Sequence, residues 1–173
     1  MNKELEVIFL TALEQNQQKL FRICSVYAKD SDDTKDLFQE VLIHIWKSMP
    51  SFKDKASIAT WMFRITLNVC LRFRSNSIKK EKKFPPLHSL TIGGVQAEIE
   101  NTKQSEQLTK LRNCIKKLNE ADKAIITLYL EELPYKEIST ILGLSENNVA
   151  VKIKRIKKKL LNCINKVSWW KMN

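Results

Sequence analysis

Three glycines and four prolines are all that this 173-residue chain has to interrupt regular backbone. An all-β fold needs many more turn residues, so the scarcity points to an all-α protein. The seven breakers (Gly93, Gly94, Gly143, Pro50, Pro85, Pro86 and Pro134) fall between segments of helical periodicity and never inside one. No apolar run approaches the length of a membrane span, and the polar opening MNKELE is no signal peptide. These absences predict a cytoplasmic protein without membrane insertion. The chain has no C-x-x-C, and its two histidines, His44 and His88, lie in different surroundings, so metal-ligand spacing is missing. The four cysteines (Cys24, Cys70, Cys114, Cys163) fall one to a helix and are expected as buried, reduced thiols. A phosphate-cradling glycine loop, a nucleophile elbow and an H-E-x-x-H are missing too, so no enzyme chemistry, metal or cofactor is expected.

What the chain does have is positive charge, placed unevenly. It is 43% hydrophobic and 28% charged, the composition of a globular protein, with a net charge of +11. Residues 1–75 carry 11 basic against 9 acidic side chains, whereas residues 101–173 carry 15 against 7. The field is concentrated toward the C-terminal part, as binding to a polyanion requires.

That part also holds the most informative stretch, SENNVAVKIKRIKKKL from Ser145 to Leu160. On a period of 3.6, Val149, Ile153, Ile156 and Leu160 share one narrow face. The outer face collects Asn147, Asn148, Val151, Lys154, Arg155 and Lys158. Amides for adenine edges, arginine for guanine, a methyl-bearing side chain for thymine and lysines for phosphates are what a major-groove reader uses. Before it comes YKEISTILG, a short amphipathic helix with small Ser139 at a helix crossing. Gly143 follows, permitting a turn that a side chain would obstruct. The unit reads as a DNA-binding helix-turn-helix, against the plainer reading of a helical hairpin with a solvated lysine face.

Around it the chain divides into two helical blocks and a linker: residues 1–80, 81–104 and 105–168. In the first block, helices are expected from Leu5 to Ala28, from Asp33 to Met49 after the polar KDSDD, and from a Ser57 cap toward RFRSNSIKKEKK. The linker carries Pro85-Pro86 and Gly93-Gly94 without helical period and reads as extended. About 22 extended residues reach at most roughly 75 Å. The second block has helices around Glu106 to Leu118 and Ala121 to Leu130, then the helix-turn-helix. At the end, Trp169 and Trp170 either pack on the last helix or form a partner-binding tip.

The order of these parts resembles an extracytoplasmic-function sigma factor, the smallest class of the sigma-70 family of bacterial transcription initiation factors. DTKDLFQEVLIHIWKSMPSF is similar to the family's D-L-x-Q-E region, and ASIATWMFRITLNVCLRFR to its W-L-x-x-I-x-x-N stretch. The resemblance implies an all-α architecture of two small domains, a region 2 three-helix bundle and a region 4 helix-turn-helix, joined by a flexible linker. It implies that Asp36, Leu37, Gln39 and Glu40 dock on core RNA polymerase, and that Trp61, Arg64, Asn68, Arg72 and Arg74 read and melt the −10 element. The −35 element would fall to Asn147, Asn148, Val151, Lys152, Lys154, Arg155 and Lys158. The family often has a basic residue at the place of Ala150 and a hydroxyl at Val151, which shifts expected contacts toward Asn147, Asn148, Lys152 and Arg155. The implied partners are the β′ clamp and β flap of core RNA polymerase, promoter DNA and an anti-sigma factor.

The residues support these roles unevenly. Asp36, Gln39 and Glu40 fall on the polar side of their helix, where a solvated face is the bland alternative. Trp61 fits core or contact, whereas Arg64 and Asn68 fit contact with single-stranded DNA. The competing function is a stand-alone helix-turn-helix regulator binding duplex DNA. A third is a helical interaction protein kept soluble by its lysines.

Overall fold

Helix ends in the computed structural model follow local capping chemistry; the structure describes residues 3–53, 55–83 and 103–169. Helix α1 spans Lys3–Tyr27 and α2 spans Ser31–Ser48. The Asp30 carboxylate accepts from the backbone N–H groups of Asp32 and Asp33 at 3.0 and 2.9 Å, so α2 starts two residues before Asp33. Pro50 sits in a 3-10 turn, Met49–Ser51, that ends α2. Ser57 accepts from the Thr60 N–H at 3.1 Å and starts α3, Ile58–Lys83. Then come α4 (Lys103–Lys116), α5 (Glu120–Leu130, capped by Asn119), α6 (Tyr135–Leu142) and α7 (Glu146–Trp169). Helix α3 therefore runs three residues into the expected linker and α4 starts inside its far end. The rest of that segment, 84–102, and Trp170 lie outside the described residues.

Helices α1, α2 and α3 pack into one block, and α4, α5 and α6 pack with α7 into another. Leu20, Ile23, Leu37, Val41, Ile45, Met49, Met62 and Leu67 fill the first core. Ile125, Ile126, Leu128, Ile138, Val149, Ile153, Ile156 and Leu160 fill the second. Each buried Leu or Ile removes apolar surface worth about 1.5–3 kcal/mol, which is what makes each block cohere. The blocks also touch, with α3 against α6 and α1 against α4 and α5.

Two expectations are corrected here. Cys24 and Cys70 are free and buried, but Cys114 of α4 and Cys163 of α7 are joined in a disulfide with Cα atoms 6.0 Å apart. The fold brings together residues 49 apart in sequence, a proximity that their spacing does not reveal. Gly143 is needed for a different reason than space. A Cβ there would meet nothing within 4 Å, but its φ of +68° is left-handed. That conformation lets its N–H and that of Leu144 reach the Ser139 carbonyl and close α6.

Candidate nucleic-acid interfaces

The α6–α7 turn aims α7 outward. Ser145 accepts from the Asn148 N–H at 3.2 Å, which starts α7 with Asn147 and Asn148 exposed in its first turn. Val149, Ile153, Ile156 and Leu160 are buried, so the opposite side faces solvent. Val151 (42% exposed), Lys154, Arg155 and Lys158 stand on that side, and Lys152 is half-buried at its edge. Lys154, Arg155 and Lys158 have no hydrogen bond or ion pair among the described residues. Two other exposed lysines are tied to α5. Lys159 pairs with Asp122 at 2.6 Å, and Lys157 donates to the Tyr129 hydroxyl at 2.7 Å while lying over its ring. The Tyr129 bond raises the Lys157 pKa above its ordinary value. The basic face thus divides into lysines that brace α7 on α5 and cations left for a ligand.

On α3, Trp61, Arg64, Asn68 and Arg72 form a stripe at helical spacing. Asn68 and Arg72 are exposed, and Trp61 is half-buried with its ring 5.2 Å from that of Phe52. These two rings, Lys53, Lys55 and Arg64 line a cleft of about 220 Å³ that Thr140 and Ile141 of α6 close from the other side. An aromatic wall beside cations suits a stacked base and its phosphate. Arg74 is off this stripe and half-buried; it adds a small share to the lowered pKa of Lys116 of α4, which burial mainly sets, followed by Arg112 and Lys123. Arg64 itself is engaged, with Nη2 donating to the Thr140 carbonyl at 3.0 Å and Nε to that of Ile141 at 3.4 Å.

On α2, Asp36, Gln39 and Glu40 are exposed, and Glu40 lies 3.8 Å from His44. Leu37, expected beside them as a docking contact, is fully buried. It faces the core with Val41 and Ile45, four and eight residues on, so it orients the polar row instead of touching a partner. Among the described residues no acidic, His or Cys cluster could hold a metal, and no helix is long and apolar enough to cross a membrane. Sequence reasoning missed the polar residues between the blocks, Arg22, Thr60, Lys116, Glu131 and Glu137. Each looks like ordinary helix-surface polarity in one dimension, and only the packing of α1 and α3 on α4–α6 pairs them.

The family model described as Sigma-70 region 2 matches residues 12–79, and that described as Sigma-70, region 4 matches residues 108–160. The chain is 25% identical over 151 residues to RNA polymerase sigma factor SigV of Bacillus subtilis, covering 87% of each chain. It is 28% identical over 159 residues to the ECF RNA polymerase sigma-E factor of Escherichia coli, covering 84% of this chain and 81% of that one. Among solved structures, CnrH in complex with the cytosolic domain of CnrY superposes with a TM-score of 0.68 at 17% identity, over 93% of this chain and 90% of that one. The sigma factor RpoE of Bartonella quintana, in complex with the anti-sigma factor NepR, gives 0.64 at 18% identity, over 95% and 98%. With both family regions present in order and together spanning well over half of its length, the chain belongs to the sigma-70 family, in its extracytoplasmic-function class.

Proposed function

We infer that this protein reads a promoter at two separate places while docked on core RNA polymerase. As a sigma factor it directs promoter-specific transcription initiation. The assignment of roles to residues is our proposal, and one observation carries it. The chain presents two different sets of groups suited to nucleic acid, an exposed amide and cationic set on α7 and an aromatic, amide and cationic stripe on α3. A stand-alone duplex reader has no use for the second.

In this reading residues 1–80 form the docking and −10 domain, 81–104 the linker and 105–168 the −35 domain. Asn147, Asn148, Val151, Lys152 and Arg155 face base edges of the −35 element, and Lys154 and Lys158 face its phosphates. Trp61, Arg64, Asn68 and Arg72 take the unpaired strand of the −10 element. Arg74, off the stripe, is left to the phosphate backbone. Capturing extruded bases offsets an unpairing and unstacking cost of a few kcal/mol each, with no chemistry of the protein's own. We therefore assign no enzymatic activity and a cytoplasmic location. Asp36, Gln39 and Glu40 present carboxylates and an amide to a basic groove of the polymerase clamp, with the flap meeting the second domain. Of two similar structures, one is CnrH bound to the cytosolic domain of CnrY and the other a sigma factor bound to the anti-sigma factor NepR, and we extend a restraining anti-sigma partner to this chain. Size-exclusion chromatography with bacterial core RNA polymerase tests the docking role. Co-elution supports it, and separate elution with duplex binding by the protein alone would favour the stand-alone regulator.

A further inference from the structure

Each block brings two cysteines together across packed helices, and the two pairs differ in access. Cys24 of α1 and Cys70 of α3 are free thiols, and both are wholly buried. A hydrogen bond with Cys24, together with burial, raises the Cys70 thiol pKa well above its ordinary value. Such thiols are inert. Cys114 of α4 and Cys163 of α7 are instead joined. Cys114 is 2% exposed and Cys163 only half-buried, so solvent reaches this pair from the α7 side.

The charges one helical turn from either sulfur are all positive. Lys110 and Lys117 stand four residues before and three after Cys114, and Lys159 and Lys166 stand in the same places around Cys163. Asp122 takes up Lys159 at 2.6 Å, and no acidic side chain occupies that spacing on either helix. Lysines beside a cysteine favour its thiolate, the form that attacks disulfides.

The bond also sits where packing is thin. Cys163 and Ile164, both half-buried, extend the α7 stripe of Val149, Ile153, Ile156 and Leu160 by one turn. Among the described residues of α4, Cys114 and Ile115 are buried, whereas Leu108 is 53% exposed. A helix with so little apolar burial depends on its covalent tether. Helix α7 is continuous from Glu146 to Trp169, so what anchors it at Cys163 also steadies the turns that carry Asn147, Asn148 and Arg155.

We propose that Cys114 and Cys163 form a thiol–disulfide switch, with Cys163 as the reacting sulfur, Cys114 as the resolving one and a low-molecular-weight disulfide as co-reactant. The Cys163 thiolate attacks one sulfur of that disulfide, forms a mixed disulfide and expels a small thiolate. Cys114 gives its proton to solvent, attacks the Cys163 sulfur, closes the bond and expels the second small thiolate. The protein thiols lose two electrons and two protons, and the co-reactant gains both electrons as two small thiols. A small thiol attacking Cys163 reverses the sequence. Closed, the bond holds α4 on α7 and fixes the recognition helix; open, α4 loosens and duplex binding weakens. A promoter reader works in a reducing compartment, where the disulfides that do form are usually transient or sensing. The effect on duplex binding rests on the reading of α7 as a DNA reader, whereas the chemistry at Cys163 does not.

The test equilibrates the full chain in reduced and oxidised glutathione at graded ratios, alkylates the free thiols and maps them by peptide mass spectrometry. The Cys114–Cys163 pair should pass between both forms while Cys24 and Cys70 stay reduced. Cys114→Ser should capture one glutathione on Cys163, and Cys163→Ser none on Cys114, with native helicity checked by circular dichroism. Where a serine variant loses helicity, rapid acid quenching of the wild-type reaction reads the same point, with glutathione caught on Cys163 alone. Fluorescence anisotropy with a mixed-sequence duplex should show about tenfold weaker binding by the reduced chain, as expected when a tenth of the population is competent. A pair locked in one form at every ratio, or glutathione caught on Cys114, would overturn the exchange chemistry. Equal duplex affinity of the two forms would overturn the switch. Exchange at Cys163 with no duplex binding by either form would instead remove the reading of α7 as a DNA reader while the exchange chemistry stands.

Discussion

The Arg64 guanidinium lies 3.0 Å from the carbonyl oxygen of Thr140, so one side chain serves both the −10 helix and the first helix of the helix-turn-helix. In our reading its second partner is the unpaired promoter strand. Arg64→Ala should then lower run-off transcription about tenfold, the usual worth of one strong charge-assisted contact, while co-elution with core polymerase is kept. Full transcription by the variant would exclude Arg64 from promoter contact.

Arg155 stands exposed on α7 with no partner among the described residues. Arg155→Ala should cost about 1–3 kcal/mol of discrimination at one base pair of the −35 element. Lys158→Ala should weaken binding equally for all sequences and lower the salt slope by about one. Measuring affinity against a set of single-base promoter variants at several salt concentrations separates the two. A uniform loss for Arg155→Ala would place it on the backbone.

The α2 surface makes a prediction that is independent of DNA. Asp36→Ala combined with Glu40→Ala removes two exposed carboxylates and touches no core residue. Affinity for core polymerase should fall at least tenfold with the circular dichroism spectrum unchanged. Leu37→Ala should do something else. It opens a cavity among α1, α2 and α3 and should lower stability by about 2–5 kcal/mol, read by denaturant unfolding. Intact core binding by the double variant would refute the docking surface.

Cys114 and Cys163 tie the first helix of the second block to the recognition helix. Closing a loop of 49 residues stabilises by about 4 kcal/mol in the chain-entropy account. Reduction, or Cys114→Ser, should lower the melting temperature of this block by about 15–30 °C. The first block, whose Cys24 and Cys70 are free, should be unaffected. Equal melting with and without reductant would show that the bond contributes nothing to folding.

How far the sequence speaks depends on the range of the interaction. The stripe Val149, Ile153, Ile156 and Leu160 is periodic within one helix, and all four residues are buried. Asp30 and Ser57 signal helix starts through bonds only two or three residues long. The family motifs likewise lie in local runs on α2 and α3. What stayed hidden joins distant elements. Arg22 and Glu131 are 109 residues apart, Arg64 and Thr140 76 apart, and each reads alone as a solvated charge or a plain helix carbonyl. The division of the α7 lysines is another case, because only the packed α5 shows that Lys157 and Lys159 are taken by Tyr129 and Asp122.

Promoter-directed initiation is tested most directly by run-off transcription. Purified protein is added to core RNA polymerase on a library of genomic promoter fragments, and the 5′ ends of the transcripts are mapped. The account predicts discrete start sites that appear only with the protein, share two sequence elements about two duplex turns apart, and vanish in the Asp36→Ala/Glu40→Ala variant. Transcripts that are unchanged by the protein, or that share only one element, would contradict it.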